Sequence, residues 1–468
     1  MSGRALRTGG STRDHVATLL VAGVSSLFGV ALVEAVVLIS GAVGASAASS
    51  SGTVAIALGT VSSVFLLIAV YVAAVVTANT FATIVAGRRR PIALLRLLGA
   101  ESARVRRALA GEGLVVGAVG AVAGLVLGVA VAAIVTGIGL AQGWLPPAMY
   151  DLLTPAVAGP VVVVIVTTWF AAWIGCRSVT LVSPLEATAA AAAPASSTGR
   201  RTRSATVTIV LLVLGAAFLA LGVLAGMLSP VGLLVAFFGG IFSFSGIIAG
   251  ARFIMPTVLS LVGRAFGHSP SARIAVANAS RYAERSTRAT MSLIIGVTLV
   301  TMFAVALTTY SDVVTARLAE SAGERQALGS TVALTIGVFS VLVGFSALIA
   351  AVGLVNTLTV GMLQRMRELG LLRALGFSRG QLRTMILAEG AQLTAGAVVF
   401  GLLLGMLYGW VAAQSLLGGV VHGIVAPVVP WPIVVVVIGG GAALTAVSSV
   451  IASRRASAVS PVVALAVE

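Results

Sequence analysis

The sequence predicts an all-α polytopic membrane protein of about ten transmembrane helices, arranged as four, two and four, with two parallel four-helix repeats. Three observations carry this. Of 468 residues, 59% are hydrophobic and 9% charged, and the mean hydropathy is +1.13. Soluble domains hold about 25% charged residues, so this chain has too few polar side chains to cover a soluble fold. The apolar stretches also run unbroken for about 20 residues, the length a helix needs to cross hydrocarbon, whereas a barrel would show short alternating segments. Lastly, the chain aligns with itself at one fixed offset.

The first expected span is 16–41. Arg4, Arg7 and Arg13, the apolar run and Ala45-Ser46-Ala47 imitate a secretory signal. The run from Val16 to Val43 is too long for a signal core of about 7–15 residues and it carries Glu34, so it reads as a retained helix. Further spans follow at 54–86, 112–139 and 158–176. Next come 206–228 and 231–255, parted only by Ser229-Pro230. The last four are 291–310, 332–363, 390–412 and 431–452.

The arginines set the orientation. With the amino terminus inside, 27 of the 29 fall in inner segments and only Arg317 and Arg325 fall outside. This is the positive-inside bias, and it predicts that both termini are cytoplasmic. The formal charge of +16 is accounted for in this way, with no nucleic acid required.

Residues 79–113 and 356–390 align without a gap at an offset of 277. Arg88 meets Arg365, Arg90 meets Arg367, Arg96 meets Arg373, Gly99 meets Gly376, and Arg106 meets Arg383. The same offset carries Gly124 and Gly128 onto Gly401 and Gly405, and Ser183-Pro184 onto Ser460-Pro461. The expected organisation is a first repeat over 1–186, a linker with two additional spans over 187–265, and a second repeat over 266–468. The stretch 187–203, rich in Ala, Ser and Thr, reads as a cytoplasmic connection.

Each repeat has a polar break on its inner side. In the second copy, Leu369, Leu372, Leu375 and Leu382 can form one apolar face, with Arg365, Arg367, Arg373, Arg379 and Arg383 around it. Gly376 should interrupt the helix and Ser378 should cap the next one. Such a segment lies on the inner membrane surface, either as an interfacial anchor or as a docking surface for a cytoplasmic partner. Its repetition favours docking to a two-fold partner.

Much chemistry is excluded. The chain has no lysine, hence no phosphate-loop or Schiff-base lysine. The lone Cys176 cannot form an internal disulfide, and His15, His268 and His422 are too scattered to ligate a metal. No catalytic, cofactor-binding or metal-binding constellation emerges. Gly124, Gly128, Gly401 and Gly405 have the spacing of close helix packing. Glu34 is the one acid well inside a span. It can bind a cationic substrate, pair across the bundle, or reach the outer interface.

The run Arg367-Glu368-Leu369-Gly370-Leu371-Leu372-Arg373-Ala374-Leu375-Gly376, with Gln381-Leu382 and Glu389-Gly390, resembles the signature of FtsX-like (MacB-type) ABC-transporter permeases. Ala277-Asn278-Ala279, leading to Arg288, is similar to the lead-in helix of those permeases, and Ser460-Pro461 to their closing motif. The layout is similar to that of the bacitracin-resistance type. The resemblance implies a non-catalytic permease subunit in a bacterial cell membrane. ATP and magnesium would sit on separate cytoplasmic ATPase subunits, two per chain. The polar breaks would be coupling helices, carrying Arg88, Arg90, Pro91, Arg96, Gly99 and Arg106 in the first repeat. The second repeat would use Arg365, Arg367, Glu368, Arg373, Gly376, Arg379 and Arg383.

Two features depart from that family. The outer segments 41–53 and 311–331 are too short for the usual large extracellular domain. In the first coupling segment, Pro91 stands in the place of Glu368. The expected function is ATP-driven movement or extraction of an amphipathic, lipid-like or peptide substrate. The alternative is a non-transporting transmitter relaying ATPase state to a membrane or extracellular partner. A secondary transporter would call for several intramembrane acids or broken helices, and Glu34 alone is thin support for one.

Overall fold

A computed structural model describes residues 12–44, 101–143, 150–180, 198–263, 283–318, 378–421 and 423–458, with 344, 376 and ten positions between 60 and 78. Among the described residues there is no strand. The long helices are α1 (Thr12–Gly44), α2 (Ser102–Ala141), α3 (Ala158–Thr180), α4 (Thr198–Gly226), α5 (Gly232–Gly263), α6 (Ala283–Leu318), α7 (Arg379–Val421) and α8 (Trp431–Ala458). A short 3-10 turn, Pro155–Val157, leads into α3.

These eight helices cover eight of the ten expected spans. The described positions of the span at 54–86 are helical. The span at 332–363 lies outside the described residues except for Gly344. Among the described residues, five helices contain stretches long and apolar enough to cross a membrane, including Ala103–Ala141 and Arg383–Gly419.

The structure corrects the expected inner ends of two spans. Hydropathy starts them at 112 and 390, yet α2 begins at Ser102 and α7 at Arg379. Arginine lowers hydropathy but is a good helix former, so Arg104, Arg106, Arg107 and Arg383 extend the helix of the following span. At about 1.5 Å per residue, α2 and α7 are rods of roughly 60 and 65 Å, twice the hydrocarbon thickness.

The two repeats are built alike. α1, α2 and α3 pack together, and so do α6, α7 and α8. The starts of α2 and α7 lie 277 residues apart, matching the sequence offset. The structure extends the repeat to the first helix at a different register. A Cβ at Gly128 would meet Val30 and Leu27 O, and a Cβ at Gly405 would meet Thr301 and Thr298 O. Val30 therefore corresponds to Thr301 and Leu27 to Thr298, an offset of 271.

The inserted pair is an antiparallel hairpin. Its turn is closed by Ser229 N donating to Ala225 O (3.0 Å) and Gly232 N donating to Ser229 O (3.0 Å). Gly215 and Gly222 on α4, and Gly232, Gly239 and Gly246 on α5, recur every seven residues. That spacing keeps them on one seam of a helix pair. A Cβ at Gly222 would lie 2.5 Å from Ala236 N, and one at Gly239 2.5 Å from Leu219 N. The backbones touch, while Val213, Leu221 and Leu224 face outward and are exposed, as suits lipid.

The hairpin rests on the second repeat, with α5 against α6 and α7 and α4 against α7. Gln392 of α7, fully buried, donates from Nε2 to Leu259 O of α5 at 2.9 Å. The central core joins all parts: Phe28 of α1 and Val72 pack with Phe244 of α5, Leu299 and Phe303 of α6, and Tyr408 of α7.

Candidate functional site

The starts of α2 and α7 are the ends that follow the expected coupling segments. Gly376 adopts φ 97°, a left-handed conformation that glycine reaches without a Cβ penalty. Ser378 then closes a reciprocal capping box. Its N–H donates to Gln381 Oε1 (2.9 Å), and Gln381 N–H donates to Ser378 Oγ (3.2 Å). The equivalent residue before α2, Glu101, is extended (φ −63°, ψ 136°) and makes no side-chain cap. The two helix starts are matched in position and differ in chemistry.

Arg106, half-buried, sets its guanidinium carbon 4.9 Å from the centroid of the Trp173 ring on α3. Arg383, its counterpart, is exposed on α7. Arg379 opens α7. Arg88, Arg90, Pro91, Arg96 and Gly99 lie outside the described residues, as do Arg365, Arg367, Glu368 and Arg373.

The four glycines singled out by spacing all lie at helix contacts. A Cβ at Gly124 would meet Gly23 O at 2.3 Å, and one at Gly401 would meet Val297 Cγ1 at 2.8 Å. Ser26 Oγ donates to Ala121 O (2.8 Å) across the same α1–α2 seam.

Glu34 is 1% exposed, and neither carboxylate oxygen has a hydrogen-bond partner among the described residues. Beside it on α1, Val30 and Val33 pack with Val157 and Val161, where the 3-10 turn leads into α3.

Sequence reasoning missed two constructions. The first is at the far end of α7 in the second repeat, where α7 holds the loop 423–430. Gln414 Nε2 donates to Gly423 O (2.9 Å) and its Oε1 accepts from Val425 N (2.7 Å). Trp410 Nε1 donates to Val425 O (2.8 Å), while Thr309 Oγ1 accepts from Val428 N (3.1 Å). The repeat offset places Gly137 and Ala133 at the positions of Gln414 and Trp410, so the first repeat has no such clamp from α2.

The second is a cavity of about 110 Å³ between the segment around 64–72, α4, α5, α6 and α7. Its wall is almost wholly apolar, with two tyrosines set into it. The Tyr71 hydroxyl lies 2.9 Å from Ser245 Oγ and the Tyr408 hydroxyl 2.7 Å from Ser243 Oγ. Phe244 stands edge-on to both rings, with centroid separations of 6.4 and 6.5 Å. The seven-residue glycine recurrence in the hairpin was the available signal for a close-packed seam beside it. Nothing in any single segment marks the cavity.

The family described as FtsX-like permease C-terminal matches this chain twice, over residues 63–184 and 340–461. The two matches are 277 residues apart at both ends, the offset of the internal repeat. Among curated relatives, an uncharacterized ABC transporter permease of Bacillus subtilis (strain 168), YknZ, is 27% identical over 141 residues. That alignment covers 30% of this chain and 34% of the relative.

Proposed function

The chain belongs to the FtsX-like permease family of ABC transporters, and from that membership we propose that it is the membrane subunit of an ATP-driven machine. The observation that carries this reading is the double family match at one offset, on a chain that supplies both halves itself. Two ATPase subunits would bind the inner segments around 87–107 and 364–384. Nucleotide-driven closure would move those segments, and α2 and α7 would convey the motion outward as continuous rods. The arginine distribution supports cytoplasmic termini in a bacterial cell membrane. Lysine is absent, so nucleotide chemistry belongs to the partner. Apolar spans favour a lipid-like or other amphipathic substrate handled within the bilayer.

The exposed apolar outer residues Leu228 and Ile424, beside a clamped loop, give some support to the second reading, a transmitter acting on a membrane or extracellular partner. Purification of the tagged chain in mild detergent from its native host tests the main reading. The expected result is co-purification of ABC ATPase subunits at two per chain, with ATP hydrolysis following the partner. Stoichiometric nucleotide binding by the pure chain would overturn it.

A further inference from the structure

We propose that the cavity between the segment around 64–72, α5, α6 and α7 seats the first few carbons of one hydrocarbon chain of an amphipathic lipid, whose first oxygen accepts a hydrogen bond from Thr298 while the rest of the molecule leaves through the cavity's open side. The helix threonines of this protein show what such a hydroxyl ordinarily does. Those of Thr136, Thr167, Thr168, Thr308, Thr384 and Thr445 each donate to the carbonyl four residues earlier. Thr298 lines the cavity, is 4% exposed, and its Oγ1 has no partner among the described residues. Thr301 also lacks one, but its Cβ packs on Gly405. An unmet buried hydroxyl is costly, because it has lost water and gained nothing.

The other polar groups in the wall are already engaged: Tyr71 with Ser245 and Tyr408 with Ser243. Thr298 is therefore the unspent hydroxyl in a wall of Leu, Ile, Val, Met and Phe. Water would find one partner there where it needs two to four; an apolar cavity of about 150 Å³ stays dry and binds benzene, so this one of about 110 Å³ has room for a few methylene groups. A chain with one acceptor at its head matches both the wall and the hydroxyl. Gly240 supplies independent evidence of room: it lines the cavity, and a Cβ built on it meets nothing within 4 Å. Inside the bilayer the abundant molecules of this chemistry are lipids. The assignment goes beyond the ATPase reading and stands or falls separately from it, because binding is measured on the permease chain without nucleotide.

The test uses the full chain in mild detergent with a diazirine-bearing palmitate analogue, peptide mapping, and native mass spectrometry for retained phospholipid. Labelling is expected on α5 and α6 around Gly240 and Thr298, and excess palmitate should compete it away. Gly240→Leu, which fills the cavity, should cut labelling at least about tenfold, far beyond the effect of one lost hydrogen bond's lower range. Thr298→Val, which keeps the shape, should weaken apparent affinity about two- to tenfold. Phospholipid retained by the unaltered chain and lost from Gly240→Leu identifies a bilayer lipid as occupant. Labelling without retained phospholipid identifies a single-chain amphiphile. Equal labelling of the unaltered chain and Gly240→Leu, or no labelling and no retained lipid, overturns the proposal. If Gly240→Leu does not fold, unchanged affinity in Thr298→Val overturns it.

Discussion

Gly124→Ala puts the packing of the first repeat to a direct test, with its own repeat partner as the control. The added Cβ would lie 2.3 Å from Gly23 O, 2.7 Å from Ser26 Cβ and 2.8 Å from Leu27 N. Two of these are backbone atoms of α1, and neither can turn away. Since carbon–oxygen contacts settle near 3.3 Å, the helices must part by about 1 Å. The 2.8 Å bond from Ser26 Oγ to Ala121 O crosses the same seam and would be stretched beyond hydrogen-bond range. Overpacking costs about 1–3 kcal/mol and the lost bond about 1 kcal/mol, so a loss of roughly 2–4 kcal/mol is expected.

At Gly401 the nearest atoms are Val297 Cγ1 and Cβ, at 2.8 and 2.9 Å, with Ile294 O at 3.4 Å. A side chain can give way more readily than a backbone, and the loss there should be nearer about 1 kcal/mol. Gly111, on the same helix as Gly124, has nothing within 4 Å of a built Cβ. Alanine there should gain up to about 1 kcal/mol from helix propensity. Thermal unfolding of the three variants in one detergent should rank them Gly111→Ala, unaltered chain, Gly401→Ala, Gly124→Ala, from most to least stable. Gly124→Ala as stable as Gly401→Ala would refute the reasoning, because the two seams would then be equally yielding.

Glu34→Gln should unfold at the same or a higher temperature, since an amide of that shape costs less to bury than an unpaired carboxylate; a lower midpoint would reveal a partner for the acid. Gln414→Leu removes both clamps on Gly423 and Val425, a loss of about 1–3 kcal/mol. The readout is hydrogen exchange, and an unchanged rate at the Val425 amide would count against the clamp. In the inner segments, Glu368→Ala should weaken ATPase capture more than Pro91→Ala does. A charge-assisted bond is worth about 1.5–3 kcal/mol, and pull-downs at matched expression measure the difference. Ser378→Ala should cost about 1 kcal/mol through loss of the α7 cap; equal unfolding temperatures would show that Gln381 alone suffices.

The fold class was legible because hydropathy and the bilayer leave a chain of this composition little choice. The 277-residue register was legible because glycine and arginine recur at matching places. The register of α1 on α6 was not, since its paired positions are unlike: Leu27 with Thr298, and Val30 with Thr301. A six-residue shift also falls between the first helix and the coupling segment, which breaks a gapless comparison. Hydropathy sets the inner ends of α2 and α7 too late because it registers arginine as a boundary although the backbone does not. Thr298 and Tyr408 were invisible as a pair. Each is an ordinary residue of an apolar helix, and only the approach of the hairpin to α6 and α7 gives them a common cavity. Glu34 stands out in the sequence for its charge, but its burial comes from the packing of α1 against other helices, which no local pattern reveals.

The hairpin α4–α5 has a consequence for how the two halves were free to diverge. Two crossings return the chain to the side it left, so a second repeat added after the pair keeps the direction of the first. Once joined, the two halves meet each other within one chain. A homodimer must place the same side chain on both sides of its axis, so every change is made twice. This chain is released from that constraint. Glu101 can open one rod while Ser378 opens the other, and Gln414 can clamp one outer loop where Gly137 leaves its counterpart without the same hold. Fusion through an even number of helices is thus what allows a nearly symmetric frame to carry two different ends.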